Sequence, residues 1–147
     1  MKELLDTIRN PTPSSLSKQV LYTILILIAG VVLGIISKIL DETASNLLPH
    51  FLEMLDFRNF FSRIGFWMFS GMCIAVYSKT PRSAALNVLL FFVGMVSSYY
   101  IYTVQMAGFF PKSYIMIWVI ITILTPLMGA VCWYAKGIHP VSICLSA

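Results

Sequence analysis

The sequence predicts an all-α integral membrane fold of four transmembrane helices with an amphipathic outer helix, interfacial or re-entrant. Three observations carry this expectation. Hydrophobic residues make up 59% of 147 residues and charged ones only 11%, and mean hydropathy is +0.85, which leaves too little polar surface to cover a water-soluble globule. The charges fall between long apolar runs of about the 20 residues that a helix needs to cross the hydrocarbon layer. No polar interval is long enough for a separate soluble domain, so residues 1–147 are read as one transmembrane unit.

The first span is placed at about 20–39, broken by charge only at Lys38. Its apolar core is too long for a signal peptide and no small-x-small cleavage site follows, so it is expected to remain as an anchor. The second is placed at about 60–77, the third at about 84–104 and the fourth at about 114–134. Each must be helical to satisfy its backbone polar groups within lipid.

Between the first two spans lies LLPHFLEMLDFRNFFSR. Asn46, His50, Glu53 and Asp56 recur at helical spacing among Leu47, Phe51, Leu52 and Leu55, which predicts an amphipathic helix over about 46–58. Ser45 or Asn46 can cap its start, and Pro49 suits a first turn. The stretch gathers charge because one face of that helix meets water.

Orientation is read from Lys and Arg near the span ends. Lys2, Arg9, Lys18, Lys79, Arg82 and Lys136 share one side, and Lys38, Arg58, Arg63 and Lys112 the other. Both termini are therefore expected to be cytoplasmic, with the chain in an inner membrane and the amphipathic helix outside.

Candidate functional groups follow from this topology. His50, Glu53 and Asp56 lie within a third of a helical turn, either as a solvated face or as groups converging on a cation or a substrate ammonium. Arg63, about a turn inside the second span, snorkels, pairs with Glu53 or Asp56, or faces a wet cavity, and an ionisable residue at that depth is a functional candidate. Tyr99, Tyr100, Tyr102, Gln105, Phe109, Phe110 and Tyr114 collect at the outer end of the third and fourth spans. They form either a headgroup-level aromatic belt or, with Ser97, Ser98 and Arg63, the wall of a small-molecule pocket with the outer helix as lid. The expected ligand-binding set is thus His50, Glu53, Asp56, Arg63, Tyr99, Tyr100 and Gln105.

Small-xxx-small pairs mark contact faces: Gly30 with Gly34, Gly71 with Ala75, and Gly94 with Ser98. They serve internal packing or docking to another membrane subunit. Pro126 frees the carbonyl of Thr122 inside the fourth span, where Thr122 and Thr125 can supply hydroxyls. Asn87, a turn into the third span, is expected to bond a neighbouring helix.

Other classes are disfavoured. Cys73, Cys132 and Cys144 give no disulfide framework, and the terminal CLSA fits prenylation poorly because Ser is not aliphatic. The chain has no Ser-His-Asp arrangement, HExxH motif or Gly-rich phosphate loop, so it is read as non-enzymatic, with no cofactor and no metal. The net charge of +4 is accounted for by orientation signals, and nucleic acid is not an expected partner.

The Gly-rich first span ending in GIISKILDE, with the stop at WYAKG, resembles uncharacterised bacterial multi-pass families. The overall style is similar to the small substrate-binding membrane subunits of energy-coupling-factor vitamin transporters. Those have six helices where four are predicted here, so the resemblance implies a general design and no particular binding residue. Two functions follow: a membrane subunit that binds or passes a small solute with an energising partner, or a non-enzymatic accessory, immunity or assembly protein acting through protein contact. The bilayer is a partner in both, and with so little surface buried, self-association is expected to be open to the chain.

Overall fold

A computed structural model describes residues 8–43, 64–108 and 112–137. The predicted amphipathic helix at about 46–58, with His50, Glu53, Asp56 and Arg58, lies outside these residues, as do Arg63, Phe109, Phe110 and Cys144.

The described residues are helical and contain no strand: α1 is Leu16–Glu42, α2 Ile64–Tyr77, α3 Pro81–Ala107 and α4 Lys112–Ala135. Helices α1, α3 and α4 have 27, 27 and 24 residues, about 40, 40 and 36 Å at 1.5 Å per residue, which exceeds a hydrocarbon layer of about 30 Å. All three are apolar enough to cross a membrane, and the chain is accordingly a membrane protein. The 14 described residues of α2 reach about 21 Å and do not cross by themselves.

The helices run past the apolar stretches that announce them. Helix α1 begins at Leu16, ahead of Lys18, after an extended segment in which Pro11 and Pro13 hold the chain out of helix. Its last turn is tied by Lys38 and Glu42 at 3.1 Å and closed by Thr43, whose amide and hydroxyl both donate to the Ile39 carbonyl. Helix α3 begins at Pro81 because Thr80 and Ser83 form a reciprocal cap: the Ser83 amide donates to Thr80 Oγ1 at 3.1 Å and the Thr80 amide to Ser83 Oγ at 3.2 Å. At its other end Gly108 takes φ 67°, a left-handed conformation that suits glycine, and its amide returns to the Val104 carbonyl.

Helix α3 is the centre. Ala84, Val88, Phe91, Phe92, Met95, Val96 and Tyr100 all lie in the core, joined by Trp67 and Ala75 of α2 and Trp133 of α4. Large apolar side chains of α1 and α4, among them Leu21, Leu25, Ile28, Ile120, Ile123 and Leu127, face outward, as suits acyl-chain contact.

Backbone approach explains the small residues. A Cβ on Gly30 would collide with the Phe91 carbonyl, one on Gly34 would sit 2.5 Å from the Met95 carbonyl oxygen, and one on Gly94 2.8 Å from that of Leu27. These glycines therefore seat α1 directly on α3. A Cβ on Gly71 would lie 2.9 Å from the terminal methyl of Met128, so that glycine lets α2 close on α4. Within α4, the carbonyl of Thr122 that Pro126 leaves without its amide accepts the Thr125 hydroxyl at 2.7 Å.

Candidate functional site

The N-terminal ends of α1 and α3 and the C-terminal ends of α2 and α4 meet at one end of the bundle, and a polar scaffold binds them. Trp133, fully buried, donates its indole N–H to the Ser78 carbonyl at 2.9 Å. Asn87 of α3 accepts the Thr23 hydroxyl of α1 at 2.7 Å and donates to Ser78 Oγ at 3.2 Å. One buried amide side chain thus ties α1 to the α2–α3 turn, using both its acceptor and its donor capacity.

Arg9 holds the segment that leads into α1. Its guanidinium donates to the Trp133 carbonyl at 2.7 Å and to the Val76 carbonyl at 3.1 Å, and its Cζ lies 4.3 Å from the Trp133 ring centroid. Val76 and Trp133 sit in the last turns of α2 and α4, where carbonyls lack intrahelical donors and the helix dipole is negative. Partial burial lowers the Arg9 pKa from its ordinary value by desolvation, and the two carbonyls and the indole face compensate in favour of the cation. Three residues on, the Thr12 amide donates to the Lys79 carbonyl at 3.0 Å. Residues 9–15 are therefore pinned across this end.

Between this segment and the helices lies a cleft of about 530 Å³, within the roughly 300–1,000 Å³ usual for small-molecule sites. Its end beside this segment, the mouth, carries the exposed Lys18 from α1 and Lys79 from the α2–α3 turn, and its sides are Ile26 of α1 and Cys73 and Ile74 of α2, with Tyr22 and Tyr77 lining it where they are also exposed. Asn87 supplies a buried polar group. From Lys18 to Ile26 the wall runs inward by about 12 Å. Arg9, Lys18, Lys79, Arg82 and Lys136 all belong to this end, Lys136 stacking over Tyr77 at 4.6 Å. Among the described residues no carboxylate joins them, because Asp41 and Glu42 stand at the far end of α1.

The far end holds the described members of the sequence-derived set. Tyr99 donates its hydroxyl to Asp41 Oδ2 at 2.7 Å, and Lys38 Nζ lies 5.3 Å from the Tyr99 ring centroid. Tyr100 is buried in the core against Tyr99, ring centroids 5.3 Å apart. Gln105 and Ser97 are exposed, while Ser98 is buried with its hydroxyl on the Met95 carbonyl. The structure thus joins Tyr99 to Tyr100 and to Asp41 and Lys38 of α1, and leaves Gln105 on the surface. His50, Glu53, Asp56 and Arg63 lie outside the described residues.

Sequence reasoning did not single out the cleft. Lys18, Tyr22 and Ile26 recur at i, i+4, i+8 on one face of α1, a usable signal, but in the sequence Lys18 and Lys79 read equally as orientation charges. Among the described residues no group of three His, Cys, Asp or Glu is placed to hold a metal. Set against protein-family models, curated proteins and solved structures, the chain has no match.

Proposed function

We propose that this chain is a membrane-embedded subunit that binds a small solute in the cleft between α1, α2 and α3 and passes it on in company with an energising partner. The observation that carries the reading is the cleft itself, which is lined by Lys18, Gln19 and Lys79 at the end of the bundle and by apolar side chains farther along. A partner is part of the proposal because the sequence contains no phosphate-binding loop with which to drive transport alone. The proposed setting is an inner membrane crossed four times, α2 continuing a second span, with both termini and the cleft mouth on the cytoplasmic side. The cluster of Lys and Arg at that end favours this orientation. His50, Glu53, Asp56 and Arg63, with Tyr99, Tyr100 and Gln105, are proposed to contact solute on the opposite side, a part tested separately by Arg63→Ala.

The test is gentle purification from the native membrane followed by mass spectrometry of what accompanies the chain. Wild type is expected to carry a stoichiometric small molecule and an ATPase. Cys73→Trp, which fills the cleft wall with an indole, is expected to keep the ATPase and lose the small molecule. A protein partner that is not an ATPase, with no small molecule, would overturn this reading in favour of an accessory role.

A further inference from the structure

The cleft reading leaves the class of solute open, and the charge around the cleft narrows it. Resting on that reading, we infer that the cleft takes an amphipathic anion: a phosphate or carboxylate held between Lys18 and Lys79, with a single apolar chain lying along Tyr22, Ile26, Cys73 and Ile74.

Three features support this. Lys18 and Lys79 both line the mouth, both are exposed, and the one ion pair among the described residues is Lys38 with Glu42 at the other end. Two ammonium groups with no carboxylate beside them among the described residues favour an anion and oppose a cation. The lining then changes character inward along α1, from Lys18 and Gln19 to Tyr22 and Ile26, which suits a head and a tail and not a uniformly polar metabolite. Lastly, the segment that sets the mouth is fixed by Arg9 and by the Thr12 amide on the Lys79 carbonyl. The two lysines are thereby presented from a tethered frame, which lowers the entropy lost on binding.

The experiment uses the full chain with Cys132→Ala and Cys144→Ala, reconstituted in phosphatidylcholine nanodiscs, and reads the rate at which N-ethylmaleimide alkylates Cys73 in the cleft wall. Dodecyl phosphate is expected to slow alkylation. Lys18→Gln and Lys79→Gln are each expected to raise the half-protecting concentration about fivefold, and the pair about thirtyfold, from about 1 kcal/mol per basic group near a membrane surface. Lys18→Arg with Lys79→Arg should restore protection, which shows that charge and not fold was lost. Arg82→Gln, at the same end but outside the cleft, should change little.

Equal protection by dodecyl phosphate and dodecyltrimethylammonium would overturn the anion assignment while leaving a solute cleft in place. Absence of protection by either amphiphile would overturn the assignment and the cleft reading together. Protection by inorganic phosphate alone would overturn the apolar half, and an effect of Arg82→Gln as large as that of Lys18→Gln would replace the site with a diffuse surface potential. Nanodiscs containing lysophosphatidylglycerol, an anionic lipid with one acyl chain, identify the source. Slow alkylation there, relieved by the double Gln variant, assigns the ligand to the bilayer; unchanged alkylation there, with protection by added dodecyl phosphate, assigns it to the aqueous phase.

Discussion

Replacing Arg9 with Gln removes two charge-assisted hydrogen bonds, to the carbonyls of Trp133 at 2.7 Å and Val76 at 3.1 Å, and a stacked contact 4.3 Å from the indole centroid. A hydrogen bond to a charged group is worth about 1.5–3 kcal/mol. Arg9 is only partly buried, so water replaces some of this and about 1 kcal/mol per bond is the better figure. Stacking on the indole adds about 0.5 kcal/mol at such a site. Arg9→Gln should therefore lower stability by about 2–3 kcal/mol, measured by reversible unfolding in mixed detergent micelles with circular dichroism. Arg9→Lys should recover less than half, because one ammonium on a flexible stem lacks the planar fork that spans two carbonyls. A change below about 0.5 kcal/mol for Arg9→Gln, the range of ordinary surface substitutions, would refute the claim that this residue clamps the ends of α2 and α4.

Further outcomes are expected in the same unfolding assay. Gly34→Ala places a Cβ 2.5 Å from the Met95 carbonyl oxygen, and since backbone yields little, it should cost about 2–3 kcal/mol; Gly65→Ala, with open space around it, should cost nothing and can gain from helix propensity. Asn87→Leu breaks the links to Thr23 and Ser78 and should cost about 1 kcal/mol, the scale of polar contacts between membrane helices. Thr125→Val strips the Thr122 carbonyl of its donor and should cost about 1–2 kcal/mol. That loss should nearly vanish in a Pro126→Ala background, where residue 126 regains an amide for the same carbonyl, and equal losses in both backgrounds would disprove the compensation.

How much of this was legible depends on the range of the interaction. The centres of three spans, those in α1, α3 and α4, were readable because apolar length is a local property, and so were the hydroxyl near Pro126 and the polar bond of Asn87. Helix ends were less so: Lys18 and Arg82 end apolar runs without ending helices, since a charged residue in a first turn reaches the interface. The cap formed by Thr80, Pro81 and Ser83 is written in the turn, but Lys79 and Arg82 beside it give the turn an equally plain reading as orientation charge. Whether Gly30, Gly34 and Gly94 face inward or toward another subunit is a question about which helix lies opposite, and no local pattern answers it. The cleft was least legible, because Lys18, Cys73, Lys79 and Asn87 come from separate elements.

The same end of the bundle unites what the sequence presents as separate features. Four helix termini meet there, two with negative dipole ends and two with positive ones. Arg9 neutralises the C-terminal carbonyls of α2 and α4, so the negative ends are already satisfied by the chain's own cation. The N-terminal end of α1 is differently placed: Ser15 precedes it with no side-chain bond to its first-turn amides, and Lys18 lies within that turn. Once Arg9 is spent on carbonyls, the charges that the described residues leave at the mouth are positive and come from two sources, the α1 dipole and the lysines. A charge distribution that orients spans is therefore also the basis of the proposed anion site, because the described residues of this end include cations and no carboxylate. If Arg9→Gln frees the α2 and α4 carbonyls, their negative ends should weaken anion protection of Cys73 even in molecules that stay folded, while Lys18 and Lys79 remain in place.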